Sequence, residues 1–548
     1  MKIVIIGGVA AGTSAAAKAR RNNEEAEIKI FDADSHISYS ACGLPYYVGT
    51  EIEDMGELTP RDPNFFKKKY NVDVFTRHQV LKADACAKLV TVMNLDTREV
   101  FEERYDKLVI ATGAKSAVPH IDGADKENVF SLRNVQSADR IREYVIYKEP
   151  KSAVIIGTGF IGLEMAENLK ARGLDITMVE MAPQVMPALD SDIAVYLADY
   201  LNEKGIKLFL GDTVVRLEGE ASVTQAVLTS GEKIDADIVI MSAGVRPNVE
   251  LARSMGVEIG ESGAIKVNTR MQTNIEDVYA CGDCAESYSL ITGKPLYRPL
   301  GSTANKMGRI AGDQITGGSL EFRGILGTGI FKIFDMTVAQ TGLTEKEAVK
   351  EGFEIAVCHN IKPDKPEYYH GKEMVIKAVA DKKSGRVLGA QIIGKAGVDK
   401  RIDVLATAIT FGAKAQDLFH LDLAYAPPFS TTKDPVIYTG MILDNAINRG
   451  RELITPDELK ARIESGEEIN IIDARAASQF EQSHLEGAQN IPHEKLRASI
   501  GTLDKEKTTV TYCNKGVTGN AAQNILINNG FKKVFNLSGG HKNYMKNK

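Results

Sequence analysis

The chain has 548 residues, which at roughly 100–200 residues per domain divides into about three or four domains. With 43% apolar and 26% charged residues and a formal charge of −6, it has an ordinary globular composition and lacks the bulk positive charge of a nucleic-acid binder. No stretch reaches the ~18 charge-free apolar residues of a membrane span, and glycines interrupt the opening apolar run, so a cytoplasmic address is expected. Six cysteines cannot make a disulfide framework in so long a chain; any that matter are expected to be reactive thiols in a reducing compartment.

Residues 3–6 form a short β-branched run that ends at Gly7, Gly8 and Gly12 and leads into the alanine-rich stretch 14–19, which reads as strand, tight turn, helix. Such a turn lets a dinucleotide pyrophosphate approach the backbone and lie on the helix N-terminus. Val9 stands where the middle glycine of G-x-G-x-x-G falls. Asp32 closes the next apolar run, where a carboxylate accepts both ribose hydroxyls. Residues 108–113 read as a partner strand ending in a small-residue turn. The pattern recurs, complete, at Gly157, Gly159 and Gly162, with Glu180 closing the run 176–179 and a partner strand ending at Gly244. A further strand-like segment, 278–283, returns after this second unit and predicts that the second domain is inserted within the first. Cys281-Gly-Asp-Cys284 has redox-pair spacing, but no second pair supplies the other ligands of a zinc site, and no metal is expected.

Residues 325–446 alternate short apolar strands (329–334, 374–380, 387–393) with a helical pattern over 400–412. The pattern breaks at Asn448-Arg-Gly450-Arg451, and Thr455-Pro-Asp-Glu458 reads as a capping box with proline at the first helical position. In the tail, strands are expected at 470–473 and 508–512, the second delivering Cys513 into a loop that opens a helix. Backbone N–H groups there can stabilise a thiolate and hold a persulfide.

Two such glycine-rich turns resemble the FAD- and nicotinamide-dependent disulfide reductases over roughly residues 1–446. The resemblance implies FAD on Gly7, Gly8, Gly12, Asp32, Ala111, Thr112, Gly113, Arg133, Gly282 and Asp283, and the nicotinamide cofactor on Gly157, Gly159, Gly162, Glu180 and Gly244. Glu180 would repel a 2′-phosphate and Met181 offers no compensating charge, so NADH is the expected donor. The implied fold is α/β: an FAD domain (1–149 and 270–324) with a nested Rossmann-like NADH domain (150–269), an α+β dimerisation domain (325–446) that makes a homodimer, and a C-terminal α/β domain (452–548).

Cys42 then lies in a segment that this fold runs past the flavin. A dithiol reductase needs a second cysteine five residues on, and that position is Tyr47. A lone cysteine works by a mixed disulfide with a small thiol, or as a sulfenic acid as in the flavin NADH peroxidases and oxidases, which carry a histidine where this chain has Ala10. The turn GGVAAG, the segment CGLPYYV and the stretch AYAPPFSTTK (424–433) together resemble coenzyme A disulfide reductase. That resemblance places Ser14, Lys18, Arg21, Ser38 and Ala41 along a coenzyme A channel, adds Asn305 and Lys433 as substrate contacts, and sends Tyr368 and Tyr425 to the thiol of the partner subunit. It departs from the family at Tyr368-Tyr369-His370-Gly371, where a proline is usual in the third place. From spacing alone, Lys18, Arg20 and Arg21 read as a solvated helix face.

The tail resembles rhodanese sulfurtransferases, with Cys513 as the sulfur-carrying thiol, Lys515, Gly516 and Thr518 in its loop, and Gly539-Gly540-His541 as the closing turn. The function expected is reduction by NADH, through FAD and Cys42, of coenzyme A disulfide, coenzyme A persulfide or polysulfide, with the tail supplying or accepting sulfane sulfur. The alternatives are an NADH oxidase or peroxidase that cycles Cys42 through sulfenic acid, and a redox-sensing sulfur-binding module.

Overall fold

The strand Lys2–Ile6 is buried from Ile3 onward, as a central parallel strand covered on both faces requires. It pairs in parallel with Glu27–Phe31 and Lys107–Ile110, and Asp73–Phe75 and Val278–Ala280 complete a five-stranded sheet. The chain, described over residues 1–548 by a computed structural model, leaves this sheet after Lys107–Ile110 and returns to it only at Val278–Ala280. Between them a second parallel sheet repeats the plan, with Ser152–Ile156 between Asp175–Glu180 and Ile238–Met241, and with Lys207–Leu210 and Val129–Phe130 at its edges. Val129–Phe130, ahead of the 149/150 boundary drawn from the sequence, pairs with this second sheet. Two residues are too short a run to show a periodicity.

Both sheets belong to one compact unit, Met1–Pro183 with Lys204–Gly327; the second unit is Gln184–Glu203 with Thr328–Lys548. In the second unit, an antiparallel sheet runs in the order Gly329–Ile333, Met336–Gly342, Val387–Gly394, Glu373–Asp381, Ile355–Pro363, with the helices Val398–Thr410 and Pro435–Asn448 packed on it. The tail forms a parallel sheet in the order Leu453–Ile454, Val534–Leu537, Thr508–Tyr512, Ile469–Asp473, Ala488–Asn490. Its first helix, Pro456–Glu464, starts at a reciprocal cap: Thr455 Oγ accepts from Glu458 N at 3.2 Å and Glu458 Oε2 accepts from Thr455 N at 2.8 Å. No helix is long and apolar enough to cross a membrane.

The helix Ser191–Glu203 packs with the second unit although it lies within 150–269, the segment the sequence assigns to the NADH domain. The reason is a buried charge. Lys377, 1% exposed on the strand Glu373–Asp381, meets Asp190 at 3.2 Å, Asp192 at 2.8 Å and Glu345 at 2.6 Å. Burial alone would pull its ammonium down, but Asp192, Asp190 and Glu345 more than offset that and hold it above the usual lysine range. Burial likewise pushes the Asp192 carboxyl up, and His359 and Lys377 outweigh it, leaving Asp192 well below the usual carboxylate range. His359, itself buried, places Nε2 2.7 Å from Asp192 and Nδ1 3.0 Å from Ser538 Oγ in the tail.

Removing one partner from such a cluster strands the others. Lys377→Met is expected to cost the second unit about 3–5 kcal/mol, read as faster hydrogen exchange along Glu373–Asp381; unchanged protection would show that the cluster holds nothing together. Because Asp192 is depressed in the folded state, its contribution is complete above the unfolded carboxylate pKa and is lost as pH falls through the folded value. Acid unfolding of this unit is therefore expected to begin below about pH 4.

Candidate active site

In the first unit, the turn after Lys2–Ile6 is set by backbone proximity. Gly7 has φ +96°, and a Cβ there would stand 2.2 Å from Ala111 O; one at Gly12 would stand 1.9 Å from Gly7 O. Val9, at the position of the missing glycine, adopts φ +48°, a conformation that costs a β-branched residue about 1–3 kcal/mol, and donates its N–H to Ile37 O at 2.7 Å. Asp32 accepts from Gly8 N at 2.7 Å and Asp34 N at 2.8 Å, and burial pushes its carboxyl up to about 6. A desolvated acceptor beside a bare turn fits the ribose of a dinucleotide whose pyrophosphate lies over the helix Ala11–Asn22.

Segments remote in sequence close on this turn. Thr112 Oγ1 donates to Asn248 O at 2.7 Å, and beside Gly113 the Arg133 guanidinium bonds Ala114 O at 2.8 Å and Asp283 at 3.1 Å. At Gly282, φ +80°, an added Cβ would stand 2.7 Å from the Ala11 side chain. The helix Gly301–Gln314 lies so close to Ala11–Asn22 that a Cβ at Gly308 or Gly312 would stand 2.2 Å from Ala11 O or 2.3 Å from Ala15 O. That approach brings Asn305 to Ser14, joined by a 2.7 Å hydrogen bond.

Of the other residues expected along the coenzyme A channel, Lys18 is already committed, to Asp313 at 3.0 Å and Asn22 at 2.8 Å. Arg21 stacks over the Tyr70 ring at 5.6 Å. Arg20 is not part of a solvated face: it is buried, and donates to Tyr70 O, Ala26 O and Asn71 O. Ser38 is half-buried and Ala41 exposed.

The second turn has the same construction. A Cβ at Gly162 would stand 2.2 Å from Gly157 O, and Gly159 caps the helix Phe160–Ala171. Glu180 accepts from Thr158 N at 2.9 Å, Thr158 Oγ1 at 2.8 Å and Ala182 N at 2.9 Å, which fixes its carboxylate at the end of the strand beside the turn. Met181 is exposed, and Gly244 takes φ +95° at the end of the partner strand. These residues fit a second dinucleotide.

Cys42 sits in the turn Ala41–Gly43, followed by the short helix Leu44–Val48 with Pro45 in its first turn. Its residue is exposed, yet the surrounding protein desolvates the thiol and pushes it up; Glu164 and Asp283 push the same way and Arg133 opposes them. Burial, then Glu167, raises the Glu164 carboxyl to about 7. The sequence reading missed Glu164, because a glutamate in the first turns of a helix reads simply as a favourable end charge. Tyr47 donates to Asp139 at 2.9 Å and lies 4.1 Å beneath the Arg142 guanidinium, so it is fixed on the helix Val135–Lys148. Cys281 and Cys284 are free and buried, and burial raises both thiols.

In the second unit, Cys513 ends the strand Thr508–Tyr512 and is 7% exposed. Gly516, at φ +97°, points its N–H at Cys513 Sγ, 3.2 Å away, and opens the helix Val517–Asn528, whose first turn contains Thr518. The closing turn packs against this loop: His541 N donates to Cys513 O at 2.8 Å and Lys542 N to Asn514 O at 3.0 Å. Arg475, paired with Asp473 at 2.6 Å, reaches Asn514 Oδ1 at 3.3 Å. Burial, then Arg475, lowers the His541 imidazole, whose Nε2 lies 3.0 Å from Ser483 Oγ. Lys515 pairs with Glu373. Tyr368 (70%) and Tyr425 (48%) are exposed, Thr432 donates to the Tyr425 hydroxyl at 3.3 Å, and the Lys433 ammonium lies 5.8 Å from the Tyr438 ring.

Comparison with known proteins gives this geometry a lineage. Residues 1–298 match the pyridine nucleotide-disulphide oxidoreductase family, 329–435 its dimerisation domain and 455–547 the rhodanese-like domain. The chain is 40% identical over 444 residues to the NAD(P)H sulfur oxidoreductase (CoA-dependent) of Pyrococcus furiosus, covering 81% of this chain and 99% of that protein. It is 33% identical to the coenzyme A disulfide reductase of Staphylococcus haemolyticus over 80% of this chain and 98% of the relative. The crystal structure of reduced Bacillus anthracis CoADR-RHD superposes with a TM-score of 0.96 at 38% identity, over 100% of this chain and 98% of that one. The chain therefore belongs to the pyridine nucleotide-disulphide oxidoreductase family, which depends on FAD and NAD(P)H, and continues through the family's dimerisation domain into a rhodanese-like domain.

Proposed function

We propose that the protein uses NADH to reduce coenzyme A disulfide, coenzyme A persulfide or polysulfide at Cys42, and that Cys513 carries sulfane sulfur to or from that chemistry. The observation that carries this reading is the exposed thiol Cys42 in the unit that holds both dinucleotide turns, with no second cysteine five residues on, that place being taken by Tyr47, itself anchored on Asp139. Relatives named for coenzyme A disulfide and coenzyme A-dependent sulfur reduction support it. FAD, when bound, would supply an electron pair received from the nicotinamide.

Cys42 does the sulfur chemistry. As a thiolate it attacks one sulfur of the substrate S–S bond, forms a mixed disulfide and expels the other half as a thiolate or hydrosulfide; two electrons and a proton then return it to the free state. Glu164, raised to about 7, is a carboxyl that can hold a proton beside the Cys42 thiol. Ser14 and Asn305, joined across two helices, form one wall of the proposed coenzyme A channel. Gly7, Gly8, Gly12, Asp32, Ala111, Thr112, Gly113, Arg133, Gly282 and Asp283 hold the FAD in this reading, and Gly157, Gly159, Gly162, Glu180 and Gly244 the NADH. The exposed Tyr368 and Tyr425, with Lys433, are assigned to the site of the second subunit of a homodimer, and six free thiols suit a reducing, cytoplasmic setting. Functional boundaries are placed at 1–149 with 270–324, 150–269, 325–446 and 452–548.

Cys42→Ser is expected to take up hydride from NADH, seen as bleaching of the flavin band, yet to lose turnover of coenzyme A disulfide. Cys513→Ser should lose transfer from thiosulfate to an acceptor thiol while still reducing the disulfide. Oxygen and peroxide controls identify the oxidase alternative. Full disulfide turnover by the Cys42 variant, or its loss in the Cys513 variant, would contradict this division.

Glu180, held by three donors, sets a fixed negative charge against a 2′-phosphate in this reading. Wild-type kcat/KM should favour NADH over NADPH, and Glu180→Ala should narrow the ratio by about tenfold. A wild-type preference for NADPH would refute the assignment.

A further inference from the structure

The surroundings of the Cys513 loop are not supplied by the tail alone. Lys515 belongs to that loop and Lys542 to the last helix, Gly540–Lys546, and both ammonium groups pair with one carboxylate, Glu373, which opens the strand Glu373–Asp381 of the antiparallel sheet. Burial pushes the Glu373 carboxyl up, but Lys515 and Lys542 outweigh it and hold it below the usual glutamate range. The two lysines also line an open cavity of about 520 Å³ beside the loop, so they face the solvent from which a sulfur donor arrives. Lys546 and Asp199, on the same wall, pair with each other.

The same end of that sheet presents a cation. Pro363 is the register partner of Glu373, which sets Lys362 beside it at the end of the strand Ile355–Pro363. The Lys362 ammonium lies 4.0 Å from the Tyr438 ring centroid and has no carboxylate within ion-pair distance. Burial, then the charges of Lys515 and Lys433, pulls it below the usual lysine range, while Cys513 acts in the opposite direction, so Lys362 and the loop lie within electrostatic reach of each other. Lys515, Lys542 and Lys362 thus stand against a single carboxylate, Glu373, at this mouth. Coulomb energy scales with the charge of the visitor, so a donor of charge −2 feels both the repulsion of Glu373 and the attraction of Lys362 twice as strongly as a donor of charge −1.

We propose that Glu373 and Lys362, both contributed by the dimerisation domain, set the charge preference of the Cys513 site in the tail, Glu373 acting against doubly charged molecules and Lys362 in their favour. Glu373 occupies the two lysines that would otherwise receive a dianion, which shifts the site toward singly charged sulfane-sulfur donors of the thiosulfonate or persulfide class. The inference rests on the sulfur-carrying role proposed above for Cys513 and names the donor class of that site. In the loading step the Cys513 thiolate attacks the outer sulfur of the donor. A new S–S bond forms at Cys513 as the donor's own sulfur–sulfur bond breaks, the remainder leaves with that bond's electron pair as sulfite, a sulfinate or a thiolate, no proton moves, and nothing is oxidised or reduced overall.

The test compares two donors, thiosulfate and methanethiosulfonate, which offer the same outer sulfur but differ by one negative charge, with cyanide as acceptor and the full-length protein in the absence of NADH. Differences between the leaving groups cancel when each variant's ratio of donor kcat/KM values is divided by that of the wild type. Glu373→Gln is expected to raise the thiosulfate-to-methanethiosulfonate ratio by about threefold and Lys362→Met to lower it by about threefold, both effects shrinking with added salt. If the two side chains served only to seat the tail, each variant would change both donors alike and leave the ratio where it was. That outcome, or a shift of either ratio in the other direction, overturns the proposal. Alkylation of Cys513 by iodoacetate against neutral iodoacetamide, read on the Cys513 peptide by mass spectrometry, tests the same charges without sulfur transfer: the iodoacetate share should rise in Glu373→Gln and fall in Lys362→Met, and a share unchanged in both also overturns the proposal. A protein that shows these alkylation shifts yet takes sulfur from neither donor would refute the sulfur-carrying role and uphold the charge assignment.

Discussion

The backbone-to-backbone approach of the helices Ala11–Asn22 and Gly301–Gln314 is the constraint on which the first unit depends. Glycine at 308 and 312 facing alanine at 11 and 15 lets the helices touch where any side chain would hold them apart. The second helix follows the return strand Val278–Ala280 and the Gly282–Asp283 turn, so seating it also seats Asp283 against Arg133 and Gly282 against Ala11. Three stretches far apart in sequence thereby meet at the proposed dinucleotide site. The same contact delivers Asn305 to Ser14, so cofactor site and proposed substrate channel are consequences of one packing decision.

The two thiols have different neighbours. Cys42 has carboxylates for neighbours, Glu164 and Asp283, with Arg133 as the counterweight, and desolvation adds to their effect. Cys513 is buried beside Lys515 and Lys542, which share Glu373, and has the Gly516 N–H on its sulfur. The buried cluster of Lys377, Asp190, Asp192 and His359 reaches Ser538, which precedes the closing turn against that loop.

Much of this was legible in the chain. Glycine spacing, terminal carboxylates and short β-branched runs announced both dinucleotide turns, and Thr455 with Glu458 announced the start of the tail, because each is a local requirement met by local residues. What sequence could not show was of longer range. Val129–Phe130 joins the second sheet through a pairing too brief to leave a pattern. The helix Ser191–Glu203 belongs with the second unit because of a lysine far along the chain, and charged residues at a helix start look the same whether or not a buried partner awaits them. Arg20, Lys18 and Arg21 alternate like any solvated helix face; only the fold distinguishes the buried Arg20 from its neighbours. Glu164 and the lysines around the Cys513 loop likewise acquire meaning from what packs beside them.

The central claim is that a single thiol, Cys42, exchanges with the sulfur–sulfur bond of the substrate. Incubating the protein with coenzyme A disulfide in the absence of NADH, then mapping adducts by peptide mass spectrometry, tests it directly. The account predicts one coenzyme A moiety in disulfide linkage to the Cys42 peptide, released when NADH is added. An adduct confined to Cys513, or one on Cys42 that NADH cannot discharge, would contradict it.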